Sequence, residues 1–379
     1  MTLPDRFRRA NWLLMGLAVL LTTVGILTVD RAVDGQADEF VTQQTRWAVL
    51  GVAVALAVLA TPAKRVVSAG YVLYGLGVAG LVLVLLVGTG KGAGRWIALG
   101  PLRAQPSEFM KLMLVIALAG HIRYERDHKR LRGLLWPLFL TVVPALLVMK
   151  QPDLGTALLF VPLLFVSLFA AGARPKHLAI VTACGLVVAA AVYVVPGVLK
   201  PYQRARITAF VTRHVGSEAD AGRRASAHDH QLARAEIAAG VGGWGGVGED
   251  EGAAGQAARG VPERHTDFIF PIFASRYGFA GVTALFVVYL LFLATLLGQA
   301  LRTRDPSARL LAVGVFTLFA AQLIVNTAMT VGLLPVVGVP LPFFSYGGSS
   351  LLVSFAALGL ALSVGVDPEL DFGRDPFAD

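Results

Sequence analysis

Apolar runs separated by polar breaks fill almost the whole chain. They fall at 12–29, 46–61, 67–88, 108–121, 134–149, 155–172, 178–196, 270–299, 308–333 and 350–366. Each approaches the ~20 residues that carry a helix across a bilayer. The fourth and fifth are short and begin inside flanking polar loops, whereas the eighth and ninth are long enough to tilt or to extend past the hydrocarbon. The pattern predicts an all-α polytopic membrane protein of about ten transmembrane helices, forming one domain over 1–366. A large polar loop, 196–267, separates helices seven and eight. The acidic, Pro-containing stretch 367–379 reads as a short disordered tail.

Composition agrees with this class. Of 379 residues, 56% are hydrophobic and 15% charged, against about 25% charged in soluble domains. The net charge of +9 belongs in cytoplasmic loops and beside anionic headgroups, so membrane lipids are the expected partners and nucleic acid is not. The single Cys184 excludes an intrachain disulfide and reads as a small core residue. Arg6, Arg8 and Arg9 precede the first run, which is long and lacks a small-residue cleavage site, so it reads as a retained first helix.

Lys and Arg set the orientation. Lys64, Arg65, the group Arg123, Arg126, Lys129, Arg130 and Arg132, then Arg174, Lys176, Arg302, Arg304 and Arg309 share one side with the N-terminus. Asp30, Asp34, Asp38 and Glu39 lie opposite. Both termini are therefore expected in the cytoplasm, with the 196–267 loop outside.

Four polar motifs share the outer side. In the first, Arg95-Trp96 leads through Arg103 to Gln105-Pro106-Ser107-Glu108 and Lys111. Ser107 is placed to cap the fourth helix and Glu108 suits its positive first turn. Lys111 lies one turn on, facing Glu108. Such a pair at membrane depth either lines a cavity or forms a structural ion pair. The second motif, Gln151 to Thr156, offers Asp153 as a helix cap or as a site carboxylate. The third, Pro201-Tyr202-Gln203-Arg204-Ala205-Arg206, carries guanidinium groups suited to phosphate or to interfacial anchoring. Beyond it, the Gly-rich 240–260 stretch suits a lid and is no Walker motif. In the fourth, Gly338 to Ser350, prolines and glycines break an apolar stretch around Ser345. Non-helical backbone at membrane depth belongs where it lines a cavity or is buried in protein.

Pro262 to Phe270 holds the densest polar chemistry. Asp267 stands at the mouth of the eighth run with Glu263 and His265. It is either an N-cap or a carboxylate in a partly dry setting, the usual form of a general base. No metal-ligand spacing and no nucleophile elbow accompany it.

On these motifs the chain resembles the SEDS family (shape, elongation, division and sporulation proteins) of the RodA/FtsW type, over the full set of runs. Leu334 to Pro342 and Arg264 look more like RodA. The resemblance implies a ten-helix peptidoglycan glycosyltransferase of the bacterial cytoplasmic membrane, acting in cell elongation. Such enzymes polymerise lipid II on the outer face into undecaprenyl-diphosphate-linked glycan, beside a class B penicillin-binding protein. The family's essential carboxylate falls on Asp267. Glu108, Lys111, Arg103, Arg206, Gln203, Asp153, Glu263, His265 and Ser345 are the expected substrate contacts. Departures from the family pattern fall at Arg234-Ala235, at Ser275-Arg276 and in the Thr212–His230 stretch.

The chemistry suits those residue types. A carboxylate takes the proton of the attacking sugar hydroxyl, and cations stabilise the departing lipid diphosphate. No metal is assigned; a divalent ion is one further way to assist the leaving group. A lipid II flippase and a non-catalytic scaffold of the elongation or division complex are the alternatives. A flippase wants ionisable residues through the midplane, and the motifs here crowd one end of the helices. No Ser-x-x-Lys nucleophile for crosslinking stands in the outer loop. Small residues Gly278, Gly281, Ala284 and Gly314 on the eighth and ninth spans suggest a face for a partner helix.

Overall fold

A computed structural model describes residues 2–32, 37–89, 94–99, 102–124, 130–195, 201–215, 227–247, 261 and 263–366. Lys91, Asp34, Arg126, Lys129, Pro262, the 248–260 part of the Gly-rich stretch, 216–226 of the large loop and the 367–379 tail lie outside these residues.

The apolar runs become helices. In chain order these are α1 (Leu3–Arg9), α2 (Trp12–Ala32), α3 (Ala37–Ala60), α4 (Ala63–Ser68), α5 (Gly70–Val87), α6 (Pro106–Tyr124), α7 (Leu135–Lys150), α8 (Leu154–Ala170), α9 (Pro175–Val194), α10 (Pro201–Val215), α11 (Ala227–Val241), α12 (Ile269–Arg302), α13 (Pro306–Thr330) and α14 (Gly348–Val366). A short antiparallel hairpin, β1 (Ile97–Leu99) and β2 (Leu102–Ala104), leads into α6. Among the described residues eight helices are long and apolar enough to cross a membrane, and α8 is a shorter apolar helix. The remaining run lies on α6, whose apolar length is interrupted by Glu108, Lys111 and His121.

The core is a bundle. α14 packs most extensively on α3, while α13 lies between α6, α8 and α12. The last two spans are the most enclosed, whereas α9 lies against α8 and buries none of its residues. Cys184 sits on α9 and is exposed. The expectation of a core cysteine fails because the whole helix, not one face of it, lies outside the bundle.

The described 242–247 part of the loop folds back onto the bundle through a break in α12. Gly278 has φ +61, and a Cβ there would meet the Gly246 amide nitrogen at 2.2 Å. Only glycine fits this position. The amides freed by the break are taken up, Phe279 N–H by Gly243 O at 2.9 Å and Ala280 N–H by Trp244 O at 3.0 Å. The 242–247 turn is thus docked against α12, not held open as a lid. Gly314 is likewise spent inside the bundle, against Val115. Of the four small residues expected on a partner face, Gly278 and Gly314 are occupied by internal packing.

Residues 331–347 form the non-helical segment between α13 and α14. Phe343 adopts φ +62, strained for a bulky side chain. Its ring is gripped by Phe319 at 5.1 Å, Phe355 at 5.2 Å and Phe292 at 5.5 Å. Tyr289 donates to Pro342 O at 2.6 Å. Aromatic packing and that buried bond offset the strain and fix irregular backbone inside the protein, where it is tolerated.

Candidate active site

Asp267 lies in the turn 263–268 that precedes α12. The helix takes Phe268 as its N-cap, with no side-chain capping bond. Asp267 therefore does not cap the helix, and its carboxylate is left for other use. Phe268 is buried with Ala235 and Ala238 of α11, Val261 and Ile272. The unusual Ala235 thus helps seat the turn. On the other side Asn326 of α13 donates to Asp267 O at 2.9 Å and to Val339 O at 2.7 Å. Gly338, with φ +75, lies against the carboxylate, and a Cβ there would come within 3.0 Å of Asp267 Oδ2.

The electrostatics of this carboxyl are distinctive. Desolvation first, then the negative charges of Glu263 and Asp153, push its pKa up to about 7. The guanidinium groups of Arg206 and Arg95 pull it back down. A carboxyl balanced near neutrality can accept or hold a proton at working pH, as a general base requires.

Asp153 serves as both cap and hub. Its Oδ1 accepts from Thr156 N–H at 3.2 Å, capping α8. Its Oδ2 accepts from Gln105 Nε2 and Ser107 Oγ, each at 3.1 Å, and from Thr156 Oγ1 at 2.9 Å. Ser107 thus gives its hydroxyl to Asp153 and does not cap α6, whose first residue is Pro106. One residue on, Glu108 Oε1 accepts from Lys111 Nζ at 2.8 Å. Lys111 is 1% exposed and Glu108 4% exposed, so the pair faces protein and not lipid. Glu108 Oε2 has no hydrogen-bond partner among the described residues. Asp153 therefore links the start of α6 to the environment of Asp267. Gly155 continues the link, packed against Val337 O and Val339 on either side of Gly338.

The two arginines of the loop motif part company. Arg204 donates to Tyr193 O at 2.8 Å and stacks over the Tyr193 ring, anchoring α10 to the end of α9. Arg206 instead lines a small, partly open pocket with Phe210, Arg213, Leu232 and Pro335. Gln203 is buried one turn earlier on α10. Arg103 is exposed on β2. Glu263 is exposed and builds the turn, its carbonyl accepting from Thr266 N–H and Phe268 N–H. His265 is half-buried between Phe40 and Tyr346, and desolvation lowers its pKa, so the ring is neutral at pH 7. Ser345 Oγ accepts from Leu341 N–H at 2.8 Å, which holds the broken segment.

Sequence reasoning passed over three residues near the site. Arg95 donates from Nε to Gln151 O at 2.9 Å and from its terminal nitrogen to Pro152 O, and its charge reaches Asp267. Its place beside Trp96 in the first motif was the available signal. Asn326 stood out only as a lone amide within an apolar run, and Gln44 only as one polar residue in a polar helix start. Among the described residues no three of His, Cys, Asp and Glu cluster as metal ligands do.

The chain is similar to several known proteins. The family model for FTSW_RODA_SPOVE, a cell cycle protein, matches residues 7–368. The probable peptidoglycan glycosyltransferase FtsW of Halorhodospira halophila is 35% identical over 371 residues, 95% of this chain and 90% of that relative. That of Trichlorobacter lovleyi is 37% identical over 290 residues, 75% of this chain and 72% of the relative. A solved chain described under the structural coordination of polymerization and crosslinking by a peptidoglycan synthase complex superposes with TM-score 0.81 at 33% identity, covering 96% of this chain and 99% of its own. The crystal structure of the Thermus thermophilus rod shape determining protein RodA gives TM-score 0.69 at 29% identity, covering 96% and 98%.

Proposed function

The chain belongs to the FtsW/RodA/SpoVE family of cell cycle proteins, and from that premise we propose that it is a peptidoglycan glycosyltransferase that polymerises lipid II on the outer face of the bacterial cytoplasmic membrane. The observation that carries the reading is the non-capping Asp267 carboxyl in the turn before α12, raised toward neutrality first by burial, then by Glu263 and Asp153, and drawn back by Arg206 and Arg95. In this reading Asp267 takes the proton from a sugar hydroxyl as it attacks the anomeric carbon of the partner sugar, and the lipid diphosphate leaves. Arg206, at the small pocket it shares with Arg213, meets the diphosphate. Lys111, Glu108, Gln203, Arg103, Asp153, Glu263, His265 and Ser345 complete the substrate surroundings, several by holding the walls in place. The product is undecaprenyl-diphosphate-linked glycan.

The flippase alternative finds less support. Asp153 and Asp305 cap helices, Glu108 and Lys111 stand in the first turns of α6, and Arg6 lies in the last turn of α1. A transport path wants ionisable groups at the midplane. In this reading both termini lie in the cytoplasm, the side that the Lys and Arg distribution favours. Crosslinking is assigned to a class B penicillin-binding protein, since no Ser-x-x-Lys motif stands in the 196–267 loop.

The cellular process is a finer matter. Leu334 to Pro342 and Arg264 carry a likeness to RodA and hence to elongation, whereas the cell-cycle description and the relatives' names favour division. Depletion in cells separates the two: rounded cells mean elongation, filaments mean division. The activity itself is tested with purified protein and lipid II. Glycan strands support the enzyme; lipid II moved between leaflets without strands supports the flippase.

A further inference from the structure

One face of the outer part of α3 docks onto the broken segment and, through it, onto the catalytic turn. Phe40, Gln43, Gln44 and Trp47 recur at i, i+3, i+4 and i+7, the spacing of one helix face. Gln44 is fully buried. Its Nε2 donates to Ser345 O at 3.0 Å, and its Oε1 accepts from Gly347 N–H at 3.3 Å. Both ends of one amide therefore fix the backbone on either side of Tyr346. Trp47 lies flat on Gly348, where a Cβ would meet the indole at 2.4 Å. Tyr346 in turn donates its backbone N–H to His265 O at 3.0 Å, and its hydroxyl donates to Gln43 Oε1. The rings of Phe40, His265 and Tyr346 meet edge to face, with centroids 5.0, 5.0 and 5.7 Å apart.

His265 is two residues from Asp267. Its carbonyl and that of Asp267 are two points at which the 263–268 turn is tied to other elements, one by Tyr346 and one by Asn326. The Asn326 tie comes from α13. The Tyr346 tie is braced from α3, by Gln44 on the backbone and by Gln43 on the hydroxyl.

We propose that Gln44 and Tyr346 form a positioning latch by which the outer end of α3 sets the placement of Asp267 for sugar transfer. The latch rests on the reading of Asp267 as the general base. Neither residue touches substrate in this account; they act through the backbone of the turn. A displacement of about 1 Å in such a group can cost up to a hundredfold in rate.

The test uses the full-length protein in detergent with lipid II. Gln44→Met keeps the volume and removes both bonds, Tyr346→Ala removes the ring, and Tyr346→Phe loses only the hydroxyl. Thr45→Ala, exposed on the same helix and bonded only to its own turn through Val41 O, is the control. We expect Gln44→Met and Tyr346→Ala to lower kcat at least tenfold with KM within twofold, Tyr346→Phe to fall between them and wild type, and Thr45→Ala to match wild type. Hydrogen exchange, read by mass spectrometry on peptides covering 263–268, should speed up in Gln44→Met without a matching change in α12. Unchanged kcat in Gln44→Met, a loss confined to KM, or unchanged exchange at 263–268 would overturn the latch. If the wild-type chain makes no glycan, the glycosyltransferase reading fails, and the exchange measurement alone still decides whether α3 holds the turn.

Discussion

Asn326 holds Asp267 by its backbone and leaves its carboxylate untouched. The Nδ2 group lies 2.9 Å from Asp267 O and 2.7 Å from Val339 O, so one amide ties the turn before α12 to the strand of chain beside Gly338. Both of its donor hydrogens are used, in a residue with no exposed surface. A lone amide inside an apolar helix is costly to bury unless it is paired in this way.

Asn326→Leu should therefore loosen the site at both ends. Two buried carbonyls lose their donor, at about 1–3 kcal/mol each by typical values. The expected result is a lower thermal unfolding temperature and a fall in kcat of tenfold or more. A thermal shift assay on purified protein, with lipid II turnover beside it, checks both.

Activity should depend on the protonation of Asp267. A general base works only when deprotonated, and this carboxyl is pushed up to about 7. The rate at low substrate should climb as pH rises through about 7 and level off above it. A profile already flat from pH 5 upward would mean that Asp267 is not the group being titrated.

Stability should run the other way. The unfolded chain releases this proton near pH 4, while the folded protein keeps it until about 7. Between those values the folded state binds more protons, so stability falls as pH rises and then stays low. Asp267→Asn removes the ionisation and should raise the unfolding temperature above pH 7, with a smaller effect below pH 5. Melting curves of the two proteins at pH 5 and pH 8 make the comparison.

The Glu108–Lys111 pair predicts an asymmetric mutant series. Lys111→Met strands a buried carboxylate, for which a loss of roughly 3–5 kcal/mol is typical. Glu108→Gln combined with Lys111→Met removes both charges and should recover most of that stability. Activity should not return with it if the pair serves the substrate. Unfolding temperature and turnover across the single and double variants separate the two roles.

The spans were legible because a bilayer demands apolar runs of fixed length, and the described helices follow those runs closely. Asp267 was legible because ionisable residues stand out beside such runs. Asp153 was legible only as a choice between cap and site, and it is a cap whose second oxygen gathers Gln105, Ser107 and Thr156. Cys184 misled because hydropathy cannot tell a lipid-facing helix from a buried one. The roles of Gln44 and Asn326 were not legible, and Arg95 showed only as a motif residue beside Trp96. Their partners are backbone carbonyls and amides tens to hundreds of positions away in the chain, and a carbonyl leaves no mark on the sequence.

The most direct test of the central claim is lipid II polymerisation by Asp267→Asn, at equal amounts of folded, membrane-inserted protein and beside wild type. The substitution keeps the shape of the side chain and removes its ability to take a proton. The account predicts glycan strands from wild type and none from the variant, at any pH between 6 and 9. Strands of near-normal amount from Asp267→Asn would contradict it.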